Sequence, residues 1–325
     1  MFCLMNPPIE NSIVHTGQGR WLLGSSVVCE TAIQVPKDAL KSWKDDNGVI
    51  HCLREVFGDE DASIASRTCG SSESGRIHHA GTSAAVWSLG GAFIKVKAWR
   101  HGMQLESDTI RYVNRVSSVP TPEVVYSWVD TDWNRSFLVL KPLKGRTLLQ
   151  AWETLSIDRR MELASTVARF CKTLALSTSK MLETANGKGI IEPFLTAQPP
   201  NSEPSWKPQF LGPYSTYQLQ SYLSDPSVTG DTELFYFYHA DLGPTNIIVT
   251  EDGSIVGIVD WESAAFYPMF WLGTKPLVSA GFFLHSGAER RAWAILLASS
   301  LEEEGFASDM VRYLAWKKAV NNRLD

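Results

Sequence analysis

The spacing of hydrophobic and polar positions changes character along the chain. From residue 82 the apolar runs are short and β-rich. Those at 84–89 and 92–96 are separated by Gly90-Gly91, a pairing that predicts an antiparallel hairpin. A helical period follows over 103–116, with Leu105, Ile110 and Val113 on one side, and Pro120-Thr-Pro122 ends it. Two more strands are predicted at 123–129 and 136–140. Beyond Lys141-Pro-Leu-Lys-Gly145 the period becomes helical, over 147–155 and then 157–182, with Ser156 or Asp158 placed to cap the longer segment. Residues 198–215 hold five of the 16 prolines and read as a long loop, a class that is often functional. Apolar runs at 247–249 and 255–259, joined at Asp252-Gly253, predict a second hairpin, and 287–322 reads as helical. The first 80 residues predict a short strand pair around 21–33 and a helix from Pro36-Lys-Asp38 through Trp43 toward Phe57, closed by a loop at 69–75. A β-rich part with one helix, then a mostly helical part holding a hairpin, is an α+β, bilobal arrangement.

Length agrees with that layout, since 325 residues suit two domains or one large bilobal one. Apolar residues at 44% and charged residues at 20% exclude a disordered chain. Thirty Lys and Arg against 35 Asp and Glu leave a net charge of −5, which attracts neither nucleic acid nor an anionic membrane; neither is expected as a partner. The five cysteines, Cys3, Cys29, Cys52, Cys69 and Cys171, are odd in number and contain no C-x-x-C pair, so neither a disulfide framework nor a zinc site is expected. The start of the chain lacks a basic segment before its short apolar run, and no stretch reaches the ~18–20 apolar residues of a membrane span. A cytoplasmic setting is therefore expected. Of the 12 tryptophans, Trp206 and Trp293 are candidates for the lining of an aromatic substrate pocket.

The chemistry is concentrated in Tyr238-His239-Ala-Asp241-Leu-Gly-Pro-Thr-Asn246-Ile-Ile-Val249 and in Ile258-Val-Asp260-Trp261-Glu262. Asp241 and Asn246 lie five residues apart across a loop with Gly243 and Pro244. Asp260 ends the second strand of the hairpin that begins just after Asn246, so the hairpin returns it beside Asn246. One carboxylate and one amide oxygen can hold a hard divalent cation such as Mg2+. Asp241 is then left to accept a proton from an attacking hydroxyl. Any one of His239, Asp241 and Asn246 alone would be read as capping a turn. Together, at this spacing, they reproduce the His-x-Asp-x-x-x-x-Asn catalytic loop and the later metal-binding Asp of kinase phosphoryl transfer.

These two motifs resemble the aminoglycoside phosphotransferase and choline kinase group of the protein-kinase-like superfamily, in a form common among fungal members. Asp260-Trp261-Glu262, Tyr267-Pro268 and Trp271 match its small-molecule branch, and the similarity spans about 82–275. The resemblance implies a bilobal kinase-like fold with an N-terminal extension over 1–81, a nucleotide-binding N-lobe over 82–143 and a catalytic C-lobe over 144–325. It implies ATP and Mg2+, with Asp241 and His239 catalytic and Asn246 and Asp260 on the metal. Lys95, with Lys97 on the same strand face as its alternative, would meet the α- and β-phosphates, and Glu106 would orient that lysine. Backbone groups near Leu140 and Leu143 would bond the adenine, sandwiched by Val96, Leu138 and Ile258, and Thr82 and Ser83 would stand at the phosphates in place of a glycine-rich loop. The implied activity is phosphoryl transfer to a hydroxyl of a small molecule, secondary metabolites among the candidates. The alternative is a pseudokinase-like binding protein or a repurposed kinase-fold enzyme. The sequence names no protein partner.

Overall fold

The computed structural model describes residues 8–17, 19–56, 75–80, 83–197, 209–225, 228, 234–285 and 289–322. The chain divides into two compact units, one of Met1–His101 with Glu123–Pro142, the other of Gly102–Pro122 with Leu143–Asp325. The first is rich in β-structure and the second is mostly helical, as the α+β pattern requires.

The first unit is built on two five-stranded antiparallel sheets. One has the order β1-β2-β3-β5-β4, from β1 (Ile13–Gly17), β2 (Arg20–Leu23), β3 (Val27–Ala32), β4 (Lys41–Lys44) and β5 (Ile50–Glu55). The other has the order β6-β7-β8-β10-β9, from β6 (Arg76–Ala80), β7 (Ala84–Leu89), β8 (Ala92–Ala98), β9 (Val124–Asp130) and β10 (Arg135–Leu140). The sheets share one core, in which Leu23, Cys29, Trp43 and Leu53 of the first meet Trp87, Ile94, Val96 and Phe137 of the second. Polar bonds also tie them. Trp43 Nε1 donates to the Gly90 carbonyl at 2.7 Å, and the Ser25 amide donates to Asp130 Oδ2 at 2.5 Å. Residues before position 82 thus supply a whole sheet to this core.

The helix expected from Pro36 toward Phe57 does not form. The chain there makes the β4–β5 hairpin, in the register Lys41↔Leu53 to Lys44↔Ile50. Its turn is set by Asp45, whose Oδ1 accepts from the Asn47 and Val49 amides, each at 2.9 Å. Gly48 takes φ +78° there, a conformation open to glycine and costly for other residues. Asn-Gly is a strong short-range hairpin signal, and here it overrides a weak helical period. The helix expected over 157–182 is also shorter. It covers Ile157–Ala175 with the Ser156 side chain capping it, as expected, by accepting from the Arg159 amide at 3.3 Å. The hydroxyl-rich Ser177-Thr178-Ser179 then leaves the helix for short strands at Thr178–Ser179 and Met181–Thr184.

In the second unit, α1 (Glu106–Val116) precedes α2 (Ile157–Ala175), α3 (Thr216–Leu223), α4 (Met269–Val278), α5 (Ala292–Glu303) and α6 (Met310–Asn321). A five-stranded sheet in this unit includes β11 (Phe235–Tyr238) and β14 (Ala265–Tyr267), and a three-stranded one contains the hairpin of β12 (Ile247–Val249) and β13 (Ile255–Ile258). Trp261, Trp271, Trp293 and Trp316 are fully buried. Three of them spend the indole N–H on a backbone carbonyl: Trp261 on Ile258 at 2.7 Å, Trp293 on Leu242 at 2.9 Å and Trp316 on Leu195 at 2.8 Å. Trp293 is therefore a core strut under the 239–246 loop and not the lining of an acceptor pocket, and Trp206 lies outside the described residues. No described helix is long and apolar enough to cross a membrane. Cys29, Cys52 and Cys171 are buried free thiols.

Candidate active site

The site lies in the second unit, on the segment from the end of β11 to the start of β12 and on the residues just after β13. His239 is fully buried, and its ring orders this loop from inside. Its Nδ1 accepts from the Asp241 amide at 3.2 Å, which leaves the proton on Nε2 to be donated to the Val259 carbonyl at 3.1 Å. Trp261 meets the ring edge-on, with centroids 4.5 Å apart. Between His239 and Asp241, Ala240 sits at φ +62°, a left-handed conformation that costs about 1–2 kcal/mol for an L-residue. The two histidine bonds hold it there. His239 thus positions the loop and does not itself face a substrate.

Asn246 ties the loop's far end to its middle. Its Nδ2 donates to the Asp241 carbonyl at 2.9 Å and to Asp241 Oδ2 at 3.0 Å, while its own Oδ1 accepts from Thr245 Oγ1 at 3.3 Å. The Val259 amide donates to the Asn246 carbonyl at 2.9 Å, so the hairpin, in the register Ile247↔Ile258, does return the 259–260 segment beside Asn246. Asp260 is the second non-glycine left-handed residue of the site, at φ +66°.

Two residues join this group that the catalytic spacing did not assign to it. Glu106, at the start of α1, accepts from the Trp261 amide through Oε1 at 3.0 Å. One carboxylate oxygen each from Glu106, Asp260 and Glu262 lies within 4.8 Å of the others. This is a set of hard oxygen donors of the kind that suits Mg2+. Glu262 was readable as the second acid of Asp-Trp-Glu. Glu106 carried no signal for this role, because the packing of α1 against Trp261–Ser263 brings it there.

Burial is the main reason that the Asp241 carboxyl is pushed up to about 6; the nearby Asp260 carboxylate adds to the effect, and Glu262 does so to a smaller degree. The Lys275 ammonium and the Asn246 bond pull the other way. Lys275 is itself paired, its Nζ donating to both oxygens of Glu192 at 2.7 and 2.8 Å, with both side chains nearly inaccessible. Trp271 Nε1 and the Phe194 amide complete the Glu192 shell at 3.3 and 3.2 Å.

The residues expected at the nucleotide are distributed as follows. Lys95 and Lys97 lie in β8 on the face opposite Ile94 and Val96. Lys95 pairs in register with Leu138 of β10, and Leu140 lies on the same face of β10 as Leu138 by strand alternation. Val96 is wholly buried in the shared core, so it does not line an adenine pocket as expected; the strand's alternation turns it inward. The Ser83 carbonyl accepts from the Ala98 amide at 2.8 Å, and Thr82 lies outside the described residues. Leu143 and Ile258 belong to the second unit, where Leu143 packs on Gly257 and the Ile258 amide donates to the Pro120 carbonyl at 2.9 Å.

Chemically, the 239–246 loop presents one carboxylate oxygen of Asp241 held by an amide, Oδ2, and one with no hydrogen bond among the described residues, Oδ1. Beside it stand an amide oxygen and three converging carboxylates. Such a site can accept a proton from a hydroxyl and hold a divalent cation.

No model of a known protein family matches the chain, and no curated protein matches it. The solved structures to which it is similar include aminoglycoside phosphotransferases. A thermostable mutant of aminoglycoside phosphotransferase APH(4)-Ia in its apo form is 17% identical over 75% of this chain and 83% of that one, at a TM-score of 0.42. The GDP and kanamycin complex of APH(2")-IIia is 15% identical over 81% and 87%, at 0.43. The streptomycin and ATP ternary complex of APH(2")-IIa is 15% identical over 81% and 86%, at 0.41.

Proposed function

We propose that this protein is a phosphotransferase that moves the γ-phosphoryl group of ATP to a hydroxyl of a small molecule, with Mg2+. The observation that carries this reading is the division of labour in the loop: Asn246 Nδ2 holds Asp241 Oδ2 at 3.0 Å, and Oδ1 is left to receive a proton. In the reaction the acceptor oxygen forms a bond to the γ-phosphorus, its proton passes to Asp241 Oδ1, and the bond from that phosphorus to the bridging oxygen breaks to release ADP. Asp241 aligns the hydroxyl, so its contribution is orientation as well as proton acceptance.

Asn246 Oδ1 and Asp260 would hold Mg2+, with Glu106 and Glu262 supplying further oxygen donors or bonds to its waters. The ion supplies neutralisation of phosphate charge when bound. His239 keeps the loop in its strained shape, and the Glu192–Lys275 pair places a cation within electrostatic reach of Asp241. For the nucleotide, the sequence resemblance assigns Lys95 to the α- and β-phosphates, Ser83 and Thr82 to the phosphate end, and Leu140 and Leu143 to the adenine.

The intact loop favours phosphoryl transfer over a pseudokinase-like role. The test is ADP release from Mg-ATP in the presence of a panel of alcohols. Asp241→Ala is expected to abolish turnover while retaining ATP binding, and Asp260→Ala to lose Mg-dependent nucleotide binding. Equal turnover by wild type and Asp241→Ala would overturn the reading.

A further inference from the structure

If Oδ1 of Asp241 receives the acceptor's proton, whatever stands beside Oδ1 decides which alcohols can approach. One such neighbour is a glycine. A Cβ placed on Gly281 would lie 3.2 Å from Asp241 Oδ1 and 3.5 Å from Ser279 Oγ. Gly281 and its neighbour Ala280 are exposed, whereas Asp241 is half-buried.

The turn that carries Gly281 is held firmly in place. It is the 3-10 turn Ala280–Phe282, in which Ser279 Oγ accepts from the Gly281 amide at 3.3 Å. Phe282 is fully buried and anchors one end, and Ser279 is buried at the other. The Gly281 carbonyl abuts Gly243 of the catalytic loop so closely that any Cβ on Gly243 would overlap it. The two backbones pack without side chains between them, and the buried Phe282 and Ser279 hold the turn against the loop.

We infer that Gly281 is a specificity-determining residue of the acceptor site, its missing side chain leaving the flank of Asp241 Oδ1 open to a branched carbinol, that is, to a secondary alcohol. A hydroxyl bonded to Oδ1 at about 2.7 Å brings its carbinol carbon and that carbon's substituents into the same shell that a Cβ on residue 281 would occupy. A primary alcohol has one carbon substituent to accommodate and can direct it elsewhere. A secondary alcohol has two, and one of them needs the open flank.

This inference rests on the proposed phosphoryl transfer, and the experiment separates the two. Gly281 is not among the residues in the left-handed region, so Gly281→Ala is compatible with the backbone; Gly281→Val is the stronger perturbation, and Ala alone carries the test if Val does not fold. ADP release is measured at saturating Mg-ATP for the full chain, with matched primary and secondary alcohols as probes, benzyl alcohol against 1-phenylethanol and propan-1-ol against propan-2-ol. The expected result is that Gly281→Ala lowers turnover on the secondary member at least 10-fold more than on the primary one. An unchanged secondary-to-primary ratio, or a wild type active only on primary members, overturns the role of Gly281 while leaving phosphoryl transfer standing. Failure of the wild type to bind Mg-ATP and to release ADP with any probe overturns both.

Discussion

Placing an ionised carboxylate where Asp241 sits has a cost that can be measured apart from catalysis. Its carboxyl, ordinarily near 3.8, is pushed up to about 6 by burial and by the Asp260 carboxylate. The folded chain therefore holds the proton more tightly than the unfolded chain, so stability is lost as pH rises from about 4 through about 6. At about 1.36 kcal/mol for each tenfold change in proton affinity, keeping the ionised form in the folded state costs about 3 kcal/mol above pH 7. Asp241→Asn removes that charge and retains an oxygen to accept from Asn246 Nδ2. It also introduces an amide N–H pair, one of which finds no new partner, at about 1–2 kcal/mol. The net gain is about 1–2 kcal/mol, and at about 2–4 °C per kcal/mol the melting temperature should rise by about 2–8 °C. The assay is thermal unfolding of wild type and Asp241→Asn in EDTA at pH 8 and again at pH 4. The gain should be present at pH 8 and absent at pH 4, where the folded wild type is itself protonated at this position, and Asp241→Asn should be inactive. A variant that melts at or below wild type at pH 8 would refute the reasoning that the site stores unfavourable charge for use in catalysis.

Other outcomes follow from the same geometry. Asn246→Ala removes both bonds to Asp241 and a proposed metal oxygen, and turnover should fall at least 100-fold with a raised Mg2+ requirement in steady-state kinetics. Lys275→Met leaves Glu192 charged and buried without its partner, which should destabilise the chain by about 3–5 kcal/mol in denaturant titration; adding Glu192→Gln should recover part of that loss. Trp293→Phe deletes the N–H bond to Leu242 under the catalytic loop, costing about 1 kcal/mol and lowering kcat without a change in nucleotide affinity.

Much of the architecture was legible because it is written in local signals. The Gly90-Gly91 turn between β7 and β8, the Ser156 cap and the 247–258 hairpin all depend on residues within a few positions of one another, and each formed where its signal stood. The expected helix over 36–57 failed for a related reason: Asn47-Gly48 is also a local signal, and a hairpin turn closed by Asp45 outweighs a loose helical period. That β4 and β5 then join a sheet sharing its core with β7, β8 and β10 had no counterpart in any window of sequence, since it depends on which apolar faces meet.

The candidate site divides along the same line. By itself the sequence determined the loop that bears Asp241, its tether Asn246 and the return of Asp260, because one hairpin brings these residues together and their spacing dictates the geometry. Only the tertiary structure decided what surrounds them. It brought Glu106 to the Trp261 amide across a separation of 155 residues, set a glycine-bearing turn against Asp241 Oδ1, turned Val96 into the core and put Trp293 beneath the loop. Each of these depends on how helices and strands pack, and packing is chosen by the burial of whole faces, which no short stretch of residues specifies.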